Sequence, residues 1–169
     1  MSTKPRGELM TDVGTDNLGT AAMEGVCASV DKELVCTNMT HNISPFNTWQ
    51  ASNALRYVVP FWPAGTVFVS VVDPGVGTSR RACVAKLKNG CYVVTPDNGT
   101  LTHMFYRVGI EAVREIDETV NRLKGTEGTS IFHGRDLFAY CAAKLASGKI
   151  DFAGVGPEYP VSEVVVHNK

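Results

Sequence analysis

The sequence predicts a layered α/β domain built on a mixed sheet, and three observations carry that prediction. Short β-like runs alternate with stretches of helical period along the chain. Residues 66–72 (TVFVSVV) are β-branched and aromatic almost throughout. Two further strand-like runs, 82–87 and 91–95, meet at Asn89-Gly90, a strong hairpin signal. Alternating strand and helix favours parallel pairing, and the hairpin inserts an antiparallel pair, so the sheet is expected to be mixed. The near-continuous apolar character of 66–72 belongs to a central strand covered on both faces.

Residues 8–11 (ELMT) form a first strand leading into Asp12. Leu18, Ala22, Gly25 or Val26, and Ser29 or Val30 then recur at helical spacing behind Asn17, a residue type suited to capping a helix N-terminus. A β-like run at 34–39 follows, then a helix over about 47–59 with Ala51, Ala54, Leu55 and Val58 on one face, then the central strand and the hairpin. A helix from about 99 to 107 and a short strand at 112–117 come next. The charged, Gly-containing segment 118–129 is expected to be a loop, and a last helix, 136–146, starts at Asp136 and stops before Gly148.

Composition narrows the function. The chain has 169 residues, 16 basic and 17 acidic side chains, and a formal charge of −1. That length suits one core, and the balanced charge argues against non-specific nucleic-acid binding. No apolar run approaches the roughly 18 residues of a membrane span. The opening MSTKPRGE is followed by no apolar stretch, so no secretion signal is expected. Five cysteines, at 27, 36, 83, 91 and 141, include no CxxC pair and fit buried thiols in a reducing, cytoplasmic setting.

Ligands of open α/β sheets sit beyond the carboxyl ends of strands, so residues leaving each strand are the candidates. Asp12 follows the first strand. The loop Asp73-Pro74-Gly75-Val76-Gly77-Thr78-Ser79-Arg80-Arg81 follows the central one, and Phe132-His133-Gly134-Arg135-Asp136 precedes the last helix. Asp97-Asn98-Gly99 is a weaker fourth cluster. Two phosphate motifs fail: GVGTSR begins like GxGxxG but ends in Arg80, and the glycines at 14 and 19 have P-loop spacing with Thr20 in place of lysine. Asp73 and Arg80, seven apart across a glycine-rich loop, can face one site, and His133 is suited to proton transfer. Asp-Pro-Gly is equally a turn signature, and His133 alone reads equally as a surface histidine. A metal site from Asp73, Asp97, His133 and Asp136 is an open alternative that no ligand spacing requires.

These segments resemble the S-adenosyl-L-methionine hydroxide adenosyltransferases, relatives of the fluorinase and chlorinase enzymes. The matching pieces run in order as TDVGTDNLGTAAMEGV, THNISPFN, PAGTVFVSVVDPGVGTSRR, YVVTPDNGTL and FHGRDLFAYCAAKLASG, spanning about residues 9–157. The resemblance implies a mixed sheet with helices on both faces. It implies attack of water on the ribose C5′ of S-adenosylmethionine, giving adenosine and methionine, with no cofactor. It assigns Asp73, Arg80 and His133 to holding that water, and Asp12 to the ribose hydroxyls. Phe46 is assigned to the ribose region, where the halide enzymes have tryptophan. Asn17 lies where several relatives contact the methionine amino group with an aspartate, and Gly134 where the halide enzymes have serine. Asp73, which those enzymes replace by tyrosine, favours water over halide.

Family members continue after a Gly-Pro pair, here Gly156-Pro157, into a small β-barrel. The expectation is therefore an N-terminal domain over residues 1–157 and a truncated linker or tail over 158–169, with the barrel absent. In the family that barrel comes from a neighbouring subunit of a homotrimer and recognises adenine. Two alternatives accompany the hydrolase: a weakly active or inactive nucleoside-binding domain, and a metal-dependent α/β hydrolase.

Overall fold

The computed structural model describes residues 6–74, 80–127 and 132–167. Seven strands, β1 (Arg6–Thr11), β2 (Val35–Thr40), β3 (Val67–Val71), β4 (Ala82–Leu87), β5 (Tyr92–Pro96), β6 (Ile110–Glu115) and β7 (Glu158–Tyr159), form one sheet. Its order is β2-β1-β3-β5-β4-β6-β7. The β2, β1, β3 and β5 strands are parallel, whereas β4 runs antiparallel to β5 and β6, and β7 antiparallel to β6. The sheet is mixed because the β4–β5 connection is too short to cross over. Residues 88–90 turn the chain, Leu87 N–H bonds the Cys91 carbonyl at 2.9 Å, and Gly90 takes φ 89°, which a glycine adopts without strain.

Alternation along the interior strands divides the core into two. Leu9, Val67, Val69, Val84 and Val94 face one side; Met10, Phe68, Cys83, Ala85 and Val93 face the other. On the first side lie α1 (Leu18–Val30) and α4 (Tyr140–Ala146), burying Met23, Val26, Cys141 and Ala142. On the second lie α2 (Thr48–Val58), burying Ala51 and Leu55, and the wide, π-type turn Met104–Val108. Helices thus cover both faces, as β3, apolar except for Ser70 and buried on both sides, requires. Each large side chain excluded from water here, such as Phe68 or Leu55, contributes on the order of 1.5–3 kcal/mol.

Three sequence readings need correction. The helix expected from 99 begins only at 102, because the Asn98 amide oxygen accepts the Thr100 N–H and hydroxyl and folds 98–101 into a turn. Within the expected loop 118–129, Glu118–Asn121 make a one-turn helix, α3, capped by Asp117; residues 128 and 129 lie outside the described residues. The last helix starts earlier than Asp136, in a wide turn, Gly134–Ala139, that runs directly into α4.

The segment after Pro157 carries structure of its own. Following β7, Val164 is buried, and Asp97 accepts the Tyr159 hydroxyl at 2.8 Å and the Val165 N–H at 3.0 Å. His167 N–H donates to Thr102 Oγ1 at 2.9 Å. Burial raises the pKa of Asp97, although both hydrogen bonds favour its charged form. All five cysteines are free, and all but Cys36 are buried. Among the described residues, no helix is long and apolar enough to cross a membrane.

Candidate active site

The connection from β1 to β2 carries α1 on one face, and the return from β2 to β3 carries α2 on the other. The chain therefore reverses direction across the sheet between β1 and β3, and a crevice opens beyond their carboxyl ends. A cavity of about 180 Å³ occupies it. Thr11, Asp12 and Val13 come from the end of β1, Val71 and Asp73 from the end of β3, and Phe132, His133 and Gly134 from the start of the last helical segment. Phe46, from the loop after β2, and Met23, from α1, complete the wall.

Asp73, Arg80 and His133 are in contact. The Asp73 carboxylate, 2% exposed, receives Arg80 Nη2 at 2.5 Å and Nε at 3.1 Å on Oδ2, with Nε also 3.3 Å from Oδ1. Arg80 lies 5.5 Å from the centre of the Phe138 ring, which holds its guanidinium on a second side. The same Nη2 approaches His133 Nδ1 at 3.1 Å. Arginine has no acceptor, so Nδ1 must carry a lone pair and the imidazole proton sits on Nε2. Burial first, then the positive charges of Arg80 and Arg122, lower the His133 pKa against the pull of Glu118 and Asp73. His133 is thereby a neutral donor through Nε2. The glycines of this loop, with Val76, Thr78 and Ser79, fall at 75–79, outside the described residues.

Asp12 is held from the opposite side, its Oδ2 accepting the Phe46 N–H at 2.7 Å. Phe46 has φ 62°, the one positive value at a non-glycine among the described residues, and its side chain is 65% exposed. An exposed aromatic in a strained backbone conformation is a feature typical of ligand sites. Asn17 stands apart: its Oδ1 accepts the Gly19 N–H at 2.7 Å and caps α1, and it does not line the cavity.

Gly134 is needed for close packing. A Cβ there would lie 3.0 Å from Phe132 Cε1 and 3.4 Å from Val71 Cγ1, so any side chain would push Phe132. Phe132 itself was part of the FHGRD motif but not among the expected binding residues, and its ring is a wall of the cavity. Sequence reading also missed a chain of hydrogen bonds behind β1. Thr11 Oγ1 meets His41 Nδ1 at 2.8 Å, His41 Nε2 meets Asn38 Oδ1 at 2.6 Å, and Asn38 Nδ2 donates to Glu24 at 2.5 Å. Glu24 fixes the Asn38 amide, Asn38 fixes the His41 tautomer, and the Thr11 hydroxyl must then donate to Nδ1. Separated by thirty positions, Thr11 and His41 gave no sequence signal of this pairing.

The four residues of the metal alternative do not converge. Asp97 holds the C-terminal segment, and Asp136 pairs with Arg135 at 2.6 Å. Among the described residues, no group of three or more His, Cys, Asp or Glu side chains is placed to hold a metal ion.

A mixed α/β sheet with a carboxylate–guanidinium–imidazole set at its switch point defines a small-ligand crevice domain. The chain belongs to the S-adenosylmethionine hydroxide adenosyltransferase family, whose N-terminal domain it matches over residues 8–156. It is 36% identical over 141 residues to the (R)-S-adenosyl-L-methionine hydrolase of Methanocaldococcus jannaschii, covering 81% of this chain and 51% of that protein. It is 37% identical over 166 residues to the enzyme of that name from Salinispora tropica, covering 98% and 62%. The crystal structure of an uncharacterized conserved protein from Thermotoga maritima superposes with a TM-score of 0.87 at 35% identity, covering 96% of this chain and 62% of that one. The chain thus spans about half to three-fifths of the length of these relatives.

Proposed function

We propose that this protein hydrolyses S-adenosyl-L-methionine to adenosine and L-methionine with water as nucleophile. The observation that carries the proposal is the Asp73–Arg80–His133 contact set at the switch-point crevice, with Asp12 on the opposite wall. The water oxygen attacks ribose C5′, the C5′–S bond breaks, and its electron pair returns to sulfur. The leaving group departs as a neutral thioether and needs no acid, so the catalytic demand falls on the water. Asp73 accepts the water proton, which passes on to solvent. Arg80 fixes Asp73 and favours hydroxide character nearby, and His133 donates Nε2–H to the water oxygen. The neutral, donor state of His133 makes it an aligning group and leaves Asp73 as the base. Asp12 has an acceptor oxygen for the ribose hydroxyls, and Phe46 and Phe132 wall the sugar.

No added cofactor or metal is required. The resemblance further gives a homotrimer, testable by molar mass in solution, and a cytoplasmic location, with which five free thiols agree. The relatives are named for the (R) sulfonium epimer, so the assay supplies both epimers in H₂¹⁸O with a chelator present. Adenosine carrying the label at its 5′ oxygen, with (S) substrate left over, supports the proposal. Asp73→Asn should lower turnover about 10²–10⁴-fold. Absence of adenosine, unlabelled adenosine, or an unaffected Asp73→Asn variant would overturn it.

A further inference from the structure

A second and larger cavity, of about 360 Å³, lies on the α2 face of the sheet and shares no lining residue with the crevice. Trp49 and Arg56 enter it from α2, His103, Tyr106 and Arg107 from the neighbouring helical segment, and His167 from the C-terminal end. Among the described residues, its lining contains two guanidinium and two imidazole groups and no carboxylate, in a chain whose overall charge is −1. Among the described residues, neither Arg56 nor Arg107 makes an ion pair or hydrogen bond. Like charges gathered without a counter-charge repel one another, and an anion is the missing partner.

The neighbouring groups agree with that reading. His103 is buried and bonded through Nδ1 to Ser52 Oγ at 2.7 Å. Its protonation is disfavoured by burial first and then by Arg56, Arg107 and His167, so the site already carries positive potential. Thr102 cannot serve as donor, because its hydroxyl donates to the Gly99 carbonyl at 2.6 Å. The two arginines offer planar forks that suit phosphate oxygens. Trp49 stands edge-on to His103 at 4.7 Å and His167 at 5.7 Å and is half exposed, as is Tyr106. Half-exposed aromatic rings beside paired guanidinium groups offer a flat surface next to an anion seat.

We propose that this second cavity binds a phosphate monoester carried on a flat aromatic ring, a ligand of mononucleotide size and charge. The volume lies within the usual range for small-ligand pockets, about 300–1,000 Å³. The site stands independently of the hydrolase reading, since none of its residues lines the crevice.

The test is calorimetric titration with AMP, with inorganic phosphate as competitor, alongside tryptophan fluorescence. Only Trp49 and Trp62 contribute to the tryptophan fluorescence, and Trp62, partly buried against Phe68, is not among the residues lining the cavity, so a change reports on Trp49. AMP should bind saturably with Kd near or below about 1 mM and shift the emission. Phosphate should compete, Arg56→Gln/Arg107→Gln should weaken AMP at least about tenfold, and Asp12→Asn in the crevice should leave it unchanged. Both arginines are exposed and unpaired, so the double variant should keep the wild-type Tm. AMP binding that survives the double variant but is lost in Asp12→Asn would place the ligand in the crevice and overturn the proposal. So would failure of phosphate to compete, or no saturable AMP binding up to about 10 mM.

Discussion

Replacing Arg80 by methionine should cost more stability than any other single change at the crevice. Methionine keeps much of the stem that packs beside Phe138 and removes the guanidinium. What remains is an Asp73 carboxylate that is 2% exposed and has lost the contacts at 2.5, 3.1 and 3.3 Å. Breaking a buried pair by removing one partner costs about 3–5 kcal/mol. Arg80 is itself 12% exposed, so water can reach the vacated space, which places the loss near the lower figure, about 3 kcal/mol. For a chain of this size that is roughly 6–12 °C in Tm. Asp73→Asn keeps an oxygen to accept from Arg80 and leaves that guanidinium, 12% exposed, within reach of water, so it should cost about 1–2 kcal/mol. In the double variant Asp73→Asn/Arg80→Met neither charge remains, so its loss should not exceed that of Arg80→Met alone. Urea midpoints for the four proteins give the coupling energy, expected at no less than about 1–2 kcal/mol. Strictly additive losses, or an Arg80→Met variant within about 1 kcal/mol of wild type, would refute the account of Asp73 as a buried, Arg80-dependent carboxylate.

The lowered pKa of His133 has a definite sign in stability. The unfolded chain takes up the His133 proton at higher pH than the folded one, so wild type should lose stability relative to His133→Gln as pH falls below about 6.5, measured by urea midpoints at several pH values. Phe46→Gly relieves a left-handed backbone and should stabilise by up to about 1 kcal/mol in a thermal melt, while raising KM for S-adenosylmethionine by removing a cavity wall. Gly156→Ala, at φ 150°, would bring a methyl group within 2.1 Å of the Glu115 carbonyl oxygen; β6 must shift, and a loss of about 3 kcal/mol or more should appear in denaturant melts. Tyr159→Phe leaves one oxygen of buried Asp97 without its donor and should cost about 1–3 kcal/mol by the same measurement.

Much of the fold was legible because it depends on local pattern. The two-residue alternation of 66–72 sets which side chains enter which core, Asn17 caps α1 through its own side chain, and Asn89-Gly90 turns the hairpin within a few residues. The elements misread were those decided by a single side chain or a single turn. Asn98 delays a helix by three residues, and Asp117 starts one too short to show a period. In the site, Asp12, Phe46, Asp73, Arg80, His133 and Gly134 were all named from motifs, and the structure gathers them around one crevice. Phe132 as a wall and the Thr11–His41–Asn38–Glu24 chain were not, because those contacts join residues with no common periodicity.

What the sequence alone determined is most of the longer elements and the chemical types that leave the strand ends, since both follow from neighbouring residues and from motif order. What the tertiary structure decided is which of these types meet. Strand order put the ends of β1 and β3 side by side, and the approach of Arg80 to His133 set the imidazole tautomer. Tertiary packing also turned Asp97 into an anchor for the C-terminal segment and brought Arg56, Arg107, His103 and His167 into one cavity. Hydrogen bonds and charge interactions act over a few ångströms in space, and distance along the chain carries almost no information about that separation.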